Sequence, residues 1–277
     1  MRTMMISHEM MPYKKLTHLE EIIANDGERL IPGVTHDLAE VVRHRSSYIF
    51  FCEVIRRDLT IIGKHHKRVQ IVELGCGVGH GCYTLSELPN SHIFGIDHSP
   101  ESLTYARTHY ARSNITYQLE NLINFIPEML EYDYVTSRGV FEHVSNGLRL
   151  ALLTKWRYRL LFDVPYDEPE GGNPHHVLHG IREEAFVGFP NVELFFQDLA
   201  GVIYDIAHKP AEPNMILCVC SHPDLPKVGS GQIGFPLPAW QPKHDLSVRG
   251  PNRFIATRRL RRVLQKLYRL TRVALNG

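Results

Sequence analysis

Short apolar runs and segments of helical periodicity divide the chain into predicted strands and helices. The run Val69–Leu74 consists mostly of β-branched and aliphatic residues, as expected for a central parallel strand that is buried on both faces. A second apolar run ends at Asp97. Alternating apolar and polar positions in 191–208 and 214–223 predict an antiparallel hairpin, because a strand with one buried face has a period of two. The pattern therefore predicts an α/β chain.

Two C-terminal stretches depart from this pattern. Residues 223–252 contain six prolines and four glycines, which prevent a long regular element and predict an extended linker or an arm that wraps the surface. From 255 to 277, apolar residues recur at helical spacing among seven basic residues and no acidic ones. We expect a basic amphipathic helix at 253–277, preceded by a lid or cap segment at 1–45 and a main domain at 46–222.

Charge is distributed unevenly along the chain, although the formal net charge is only +1. We call residues 255–277 the basic tail. The tail holds seven of the 31 basic residues and none of the 30 acidic ones, so the rest of the chain has an acidic excess. Such a helix can lie on an anionic membrane surface, dock on the domain or on a partner such as a glycosyltransferase, or bind RNA. The acidic excess of the main domain disfavours nucleic acid as the substrate.

Composition agrees with one globular unit in a reducing compartment. A chain of 277 residues with 43% apolar content can bury a full core, and its five cysteines include no C-x-x-C pair. The N-terminus lacks the apolar core of a signal peptide, and no run approaches the ~20 apolar residues of a spanning helix. We expect a cytoplasmic protein, with peripheral attachment to the inner face of the membrane as an alternative.

A glycine loop at 75–79 follows the first predicted strand. Gly75, Gly77 and Gly79 allow positive φ and a close approach of the backbone to a ligand, towards which the following helix would direct its amides. The dinucleotide fingerprint requires its third glycine at position 80, which is His80 here. The spacing therefore disfavours a nicotinamide cofactor.

Two carboxylates flank this loop. Glu73 lies at the end of the first strand, where it can hold a cationic amino-acid group. Asp97 ends the second apolar run and is placed to accept hydrogen bonds from both hydroxyls of a ribose. Together with the loop, they predict a site for a nucleoside cofactor.

Three further motifs follow in order. Glu120 and Asn121 come after a short apolar run, Glu142 and His143 lie on the helix expected after the run at 134–136, and a Val-Pro pair ends the run at 159–166. With the glycine loop, these motifs resemble the class I S-adenosylmethionine-dependent methyltransferases. The resemblance extends over 27–220. It implies a Rossmann-like, seven-stranded, mostly parallel sheet with an antiparallel last hairpin and helices on both faces.

The resemblance implies S-adenosylmethionine as the methyl donor and cofactor. Asn121 stands where the family usually has an acidic residue near the adenine, so the polarity of that hydrogen bond is open. The residues expected to contact the donor lie in the loop, at strand ends and on the helix before the first strand: Tyr48, Glu73, Gly75, Cys76, Gly77, Gly79, Asp97, His98, Glu120, Asn121, Leu122 and Ser137.

The segments 27–33 and 44–50 resemble a narrower group of methyltransferases that is associated with glycan assembly. That group tends to carry a His-x-x-Arg-Tyr-x-Phe pattern on the helix before the first strand. His44, Tyr48 and Phe50 match it, whereas Ser47 stands at the arginine position. Such a helix would cover the cofactor, with Tyr48 near its methionine end. The alternative is that Tyr48 and Phe50 are core residues.

Histidines supply the candidate catalytic groups. The donor carries the activation for methyl transfer, so the protein mainly aligns the acceptor and excludes water. An alcohol must also lose its proton, and a base typically contributes ~10²- to 10⁴-fold. The candidates are His143, after the fourth strand, and His175 and His176, in a polar loop that would cover the acceptor. Alternatively, His143 only supports the pocket wall, and a loop histidine caps a helix that begins around Arg182 or hydrogen-bonds within the loop.

No metal is expected at this site. His176 and His179 have i, i+3 spacing with carboxylates nearby, but metal ligands must converge, and a loop does not guarantee convergence. A magnesium-dependent activity is the less favoured alternative.

The absence of one motif restricts the class of acceptor that we expect. Methyltransferases that act on exocyclic amines of bases carry Asp/Asn-Pro-Pro-Tyr/Phe after the fourth strand, where this chain has Thr-Ser-Arg-Gly at 136–139. We therefore expect transfer to an oxygen of a small molecule or a glycan. Arg138 either binds an anionic group of that acceptor or forms a structural salt bridge.

Three other functions fit parts of the sequence. A natural-product or quinone methyltransferase would share every cofactor motif. A pseudoenzyme that scaffolds a glycan-assembly complex would bind the donor without turnover. An NAD-dependent oxidoreductase is disfavoured by the spacing of the glycines.

Overall fold

The computed structural model describes residues 16–34, 38–62, 68–231 and 233–242. Up to Trp240 they form one compact unit around an eight-stranded sheet. The strands are β1 (Val69–Leu74), β2 (Ser91–Asp97), β3 (Ile115–Leu119), β4 (Tyr132–Arg138), β5 (Trp156–Pro165), β6 (Val192–Gln197), β7 (Ile203–Tyr204) and β8 (Met215–Ser221). Their order in the sheet is β3-β2-β1-β4-β5-β8-β6-β7.

The first five strands are parallel to one another. β1 pairs with β2 and β4, β2 with β3, and β4 with β5. The strand β8 runs antiparallel to both β5 and β6. The carboxyl ends of β1 to β5 therefore lie along one edge of the sheet, which is where ligands bind in open α/β folds.

Helices cover both faces of the sheet. They are α1 (His18–Asn25), α2 (Leu38–Ile62), α3 (His80–Leu85), α4 (Pro100–His109), α5 (Leu122–Glu128) and α6 (Gly147–Leu152). Successive side chains of a strand point to opposite faces of the sheet, so neighbouring residues of β1 contact different helix layers. Ile71 packs in a cluster with residues of α2 and α3, whereas Val72 packs in a cluster with Ile126 of α5 and Ala151 of α6.

The predicted fold class is confirmed, including the antiparallel pairing of β6 with β8. The strand number differs, because eight strands are present rather than seven. The additional strand is β7, a two-residue segment that pairs with the end of β6. It lies within the alternating stretch 191–208 that the sequence pattern assigned to a single arm of the hairpin.

Two predicted helices are single 3-10 turns. Glu142 and His143 lie in the turn Phe141–His143, and α6 begins only at Gly147. A Cβ at Gly147 would lie 1.8 Å from the carbonyl oxygen of Phe141, so the chain bends sharply between the two elements. The helix expected from about Arg182 is the turn Glu183–Phe186, because a glycine and a proline at 188 and 190 stop its extension.

The proline-rich stretch packs on the domain as far as Trp240. Phe235 stacks on Phe195 of β6 with ring centroids 5.1 Å apart, and Leu237 exchanges backbone hydrogen bonds with Ile203 of β7. The predicted boundary at 45/46 lies inside α2. The predicted helix at 253–277 lies outside the described residues, and the segment limits stay a prediction.

Within the parts of the chain that the structure describes, no helix has the length and apolarity needed to cross a bilayer.

A buried ion pair joins α2 to the sheet. Arg159 of β5 is 1% exposed and donates two hydrogen bonds to Asp58 of α2, at 2.7 and 2.8 Å. It also donates to Ser221 of β8 and, at 2.9 Å, to the carbonyl oxygen of Pro226. One guanidinium thus links a helix, two strands and the C-terminal arm.

We expect Asp58→Ala to lower the free energy of unfolding by about 3 to 5 kcal/mol, because it leaves the Arg159 charge buried without its partner. Urea denaturation measures the change. The control is Arg157→Ala on the same strand, because Arg157 is exposed and pairs with Glu131 and Asp133 at the surface. The control should cost less than about 1 kcal/mol. Equal losses in the two variants would contradict the prediction.

Candidate active site

The glycine loop links β1 to α3. Gly75, Gly77 and Gly79 have φ of 68°, 52° and 89°, a region that glycine enters at little cost. A Cβ at Gly75 would lie 2.4 Å from the side chain of Val140, and one at Gly79 would lie 2.6 Å from the Tyr117 hydroxyl. Around the position of a Gly77 Cβ, no atom of the described chain lies within 4 Å. The loop is therefore packed at both ends and open in its middle, as a nucleoside cofactor would require.

Asp97 holds the loop from the end of β2. Its Oδ2 accepts a hydrogen bond from the Gly77 N–H at 2.7 Å, and its Oδ1 accepts one from the Ser99 N–H at 2.9 Å. Cys76 of the loop is buried, and its N–H donates a hydrogen bond to the carbonyl oxygen of Ile96. The carboxylate thus shapes the loop before any ribose binds, and the ribose contact stays a prediction.

His98 and Arg29 lie beside this carboxylate. Arg29 Nη2 is 3.7 Å from Asp97 Oδ1 and 3.4 Å from His98 Nε2, while His98 is largely exposed. The positive charge of Arg29 therefore faces the position where the ribose hydroxyls are expected.

Glu73 is fully buried and joins α2 to the sheet. It accepts hydrogen bonds from the hydroxyl of Tyr48, at 2.8 Å, and from Thr136 of β4. Burial raises the pKa of Glu73 to about 7. A Cβ at Gly81 would lie 2.2 Å from Tyr48 Cζ, so this glycine makes room for the tyrosine ring. Tyr48 is therefore buried, and the contacts of both side chains with the methionine end of the donor stay a prediction.

The remaining residues predicted to contact the donor, including Glu120 and Asn121 near the adenine, are at the ends of β3 and β4. The N–H of Glu120 donates to the carbonyl of Asp97 at 3.0 Å, which brings this exposed side chain beside the ribose position. Asn121 caps α5, because its Oδ1 accepts from the N–H of Ile123 at 2.9 Å, and half-buried Leu122 begins that helix. Ser137 is buried and donates to the carbonyl of Leu74. Its hydroxyl therefore joins β4 to β1.

A group of buried basic side chains lies behind the loop. His80 packs edge-on against Tyr48, and neither of its ring nitrogens has a hydrogen-bond partner in the described segments. Burial lowers the pKa of His80 well below its usual value and that of His44 to about 4, so both imidazoles are neutral. Arg138 donates to His44 and lies 3.7 Å from Asp163, with little exposure. Of the two interpretations of Arg138, the structure shows the salt bridge.

The three predicted catalytic histidines lie together. His143 follows β4, and His175 and His176 lie in the loop after β5. One oxygen of Glu28 is 3.2 Å from Nδ1 of both His143 and His175. The Nδ1 of His143 is also 3.1 Å from the carbonyl oxygen of His175. The structure thus places His143 and His175, from two loops, at one carboxylate, and the ring of His176 packs against that of His143.

His176 is engaged on both ring nitrogens. Its Nδ1 hydrogen-bonds Glu168, and its Nε2 lies 3.1 Å from the side-chain amide of Asn173. Of the alternatives for the loop histidines, the cap of a helix at Arg182 is wrong, because a 3-10 turn without a side-chain cap follows Arg182. The other alternative is observed, since His176 hydrogen-bonds within its loop.

Glu142 completes a set of groups of the kind that bind metals. It is 2% exposed, and burial raises the pKa of its carboxyl to about 8. Glu142, His143 and His176 each offer one ligand atom, and these atoms lie within 4.8 Å of one another. His179, which the sequence spacing singled out, is not in this group.

The sequence did not predict the roles of Glu28 and Arg29. They follow Gly27 in the segment between α1 and α2, so adjacent residues reach the histidines and Asp97. The resemblance of the segment 27–33 to the narrower methyltransferase group pointed to this region, but it did not single out either side chain. The contacts of Glu28 and Arg29 join residues far apart in the sequence, so the sequence alone does not show them.

Comparison with known proteins agrees with this geometry. Residues 65–151 match the family model described as a methyltransferase domain. The match covers 87 of the 277 residues. The resemblance to class I S-adenosylmethionine-dependent methyltransferases is confirmed here, and with it S-adenosylmethionine as the cofactor. The resemblance to the narrower glycan-associated group stays a prediction.

A curated relative is the malonyl-[acyl-carrier protein] O-methyltransferase of Bacillus cereus, 33% identical over 79 residues. The match covers 28% of this chain and 29% of that relative, so it spans less than a third of either protein.

Two solved structures are similar to parts of the chain. An S-adenosylmethionine-dependent methyltransferase from Mesorhizobium loti has 23% identity and a TM-score of 0.32, over 40% of this chain and 53% of that one. The protein WbdD has 17% identity and a TM-score of 0.48, over 64% and 40% respectively. At these TM-scores the likenesses carry no information about the acceptor.

The raised pKa of Glu73 predicts a pH dependence of stability. The folded protein binds this proton more tightly than the unfolded chain, in which the ordinary pKa is 4.5. The resulting stabilisation is complete below pH 4.5 and is lost as the pH rises through about 7. Relative to Glu73→Gln, which stays neutral, the native protein should lose about 2 to 3 kcal/mol of unfolding free energy between pH 5 and 8.

Denaturant unfolding at several pH values measures this difference. Glu128→Gln, at an exposed position at the end of α5, serves as the control and should follow the native curve. Parallel curves for Glu73→Gln and the native protein would show that the carboxyl titrates as it does in water.

Proposed function

We propose that the protein transfers the methyl group of S-adenosylmethionine to an oxygen of a small-molecule acceptor, with a sugar, nucleotide-sugar or lipid-linked glycan as the preferred class. One observation carries the choice of oxygen, namely the contact of Glu28 with both His143 and His175 beside the cofactor loop. An alcohol needs a base of this kind, whereas an amine or a thiolate needs little more than alignment.

His175 is the preferred base among the three candidates. Its side chain is 41% exposed, compared with 24% for His143 and 9% for His176. Glu28 holds its Nδ1, which leaves Nε2 for an acceptor. That nitrogen lies 3.1 Å from where a Cβ of Gly27 would be, so the glycine leaves it uncovered. In a Ser-His-Asp triad, a carboxylate likewise orients the histidine that acts as the base.

The cofactor, when bound, supplies an activated methyl group on a sulfonium. In the proposed step, His175 Nε2 accepts the proton of the acceptor hydroxyl while its oxygen forms the bond to the methyl carbon. The carbon–sulfur bond breaks, which leaves a neutral thioether and a protonated imidazole. Glu28 stabilises that positive charge.

The segment 27–29 connects the two halves of the site. Arg29 reaches Asp97 and His98 on the cofactor side, while Glu28 reaches His143 and His175 on the acceptor side. This arrangement supports the lid function expected for the N-terminal segment, since one short stretch covers both ligands and excludes water from the reaction.

The glycan element rests on the family-like segments at 27–33 and 44–50, and on the basic tail, which lies outside the described residues. The name of the Bacillus cereus relative refers to an O-methylation, which agrees with oxygen as the accepting atom. A natural-product or quinone acceptor would use the same base and cofactor residues. A scaffolding pseudoenzyme would bind the cofactor and transfer nothing.

Incubation with methyl-labelled S-adenosylmethionine and fractions of a cell extract tests the proposal. We expect label in a small-molecule or glycan fraction, in a linkage that chemical analysis identifies as a methyl ether or ester. With His175→Gln, the transfer rate should fall by about 10²- to 10⁴-fold because the proton acceptor is lost. The dissociation constant of S-adenosylhomocysteine should stay within about twofold, since His175 is not among the residues expected to contact the donor.

His208→Gln is the matched control, because His208 also has a carboxylate, Asp205, 2.6 Å from its Nδ1 but lies in the loop before β8. It should transfer at the native rate. Label in nucleic acid, or no transfer to any fraction by a protein that binds S-adenosylhomocysteine, would contradict the proposed function.

Asp97→Ala should weaken binding of S-adenosylhomocysteine by about 2 to 4 kcal/mol, because the carboxylate is expected to accept two ribose hydrogen bonds. Titration calorimetry measures the dissociation constant. Asp133→Ala is the control, since Asp133 also accepts a backbone hydrogen bond, from Gln70, but lies at the opposite end of the sheet. An unchanged dissociation constant in Asp97→Ala would show that the ribose lies elsewhere.

A further inference from the structure

Two loops bring three ligand-type side chains together beside the proposed acceptor site. Glu142 and His143 follow β4, and His176 follows β5. One oxygen or nitrogen of each lies within 4.8 Å of the others. Two imidazoles and one carboxylate are a ligand set that first-row divalent cations accept, and three protein ligands leave positions open for water or a substrate.

Both histidines already have an acceptor at Nδ1. The Nδ1 of His143 hydrogen-bonds the carbonyl oxygen of His175 at 3.1 Å and lies 3.2 Å from Glu28 Oε1, and the Nδ1 of His176 hydrogen-bonds Glu168. Metal-binding histidines characteristically donate one ring N–H to such a carboxylate, which fixes the tautomer and directs the other nitrogen to the metal. The outer contacts of a metal site are therefore present around both imidazoles.

Glu142 supplies an independent observation. Its side chain is 2% exposed, and its Oε2 has no hydrogen-bond partner among the residues that the structure describes. A buried carboxylate oxygen without a donor is costly, and a bound cation would compensate for it. The carbonyl of Glu142 accepts hydrogen bonds from Val177 and Leu178, so its position relative to His176 is fixed by the backbone.

We propose that Glu142, His143 and His176 bind a divalent first-row transition-metal cation, with Glu28 and Glu168 orienting the two imidazoles. The Nε2 atoms are the ligating nitrogens, since the Nδ1 atoms face carboxylates. The amide of Asn173 lies 3.1 Å from His176 Nε2, and the cation displaces it. This departs from the sequence-based expectation that no metal binds.

The chemical role of the cation rests on the proposed methyl transfer to oxygen. A cation at this position polarises the acceptor hydroxyl and assists the loss of its proton to His175. Cation binding itself requires no methyl transfer, so the two proposals are tested by different measurements.

The test is a titration of the full chain with Co²⁺ after removal of metals by a chelator and dialysis, followed by visible absorption and calorimetry. We expect one Co²⁺ per chain that Glu142→Gln and His176→Gln each weaken by at least tenfold. Glu168→Gln, which removes an orienting carboxylate, should weaken it by about 10- to 100-fold. Each variant is first shown to unfold at the native temperature in the absence of Co²⁺, and His143→Gln replaces any variant that does not.

His208→Gln is the control, because His208 has the same pairing with a carboxylate but belongs to no such ligand group. It should bind Co²⁺ with native affinity. The proposal is overturned if the native chain binds no Co²⁺, or if Glu142→Gln and His176→Gln bind it with native affinity. Co²⁺ binding without any methyl transfer would overturn the proposed function and leave the metal site standing.

Discussion

The carboxylate of Asp97 is the constraint on which the rest of the site depends. It accepts backbone hydrogen bonds from Gly77 and Ser99, so one buried side chain fixes the glycine loop and the start of α4 relative to β2. Arg29 approaches the same carboxylate, and this contact positions the neighbouring Glu28 among the histidines. The cofactor side and the acceptor side of the site are thus aligned through a single charge.

Much of the fold could be predicted because its signals are local. The apolar run of β1, the glycines after it and the carboxylate at the end of β2 are contiguous or closely spaced, and each has a steric or hydrogen-bonding reason. The pairing of β6 with β8 was predicted from an expected alternation, but burial does not alternate in either strand, and β8 is buried at every position. The two failed helix predictions have other causes: the chain bends sharply at Gly147 after the turn at 141–143, and a glycine and a proline at 188 and 190 stop the turn at 183–186.

The acceptor side could be predicted only in part. The sequence named His143, His175 and His176, but it did not show that Glu28 lies between two of them or that Glu142 lies buried beside His176. These contacts join loops that follow different strands, and periodicity contains no information about them. In the sequence, His80 was informative only because it occupies the position of the third glycine of the dinucleotide fingerprint. In the structure, it packs against Tyr48.

The C-terminal arm also protects the end of the sheet. An outermost strand exposes unpaired backbone groups that can pair with another molecule, which is a common route to aggregation. Here β7 is only two residues long, and its Ile203 exchanges both backbone hydrogen bonds with Leu237 of the arm, at 3.0 and 2.7 Å. The arm therefore satisfies backbone groups of this edge strand within the same molecule. A shortened chain that lost it would expose the backbone of β7 to pairing with another molecule and would self-associate, even with the glycine loop and the histidines in place.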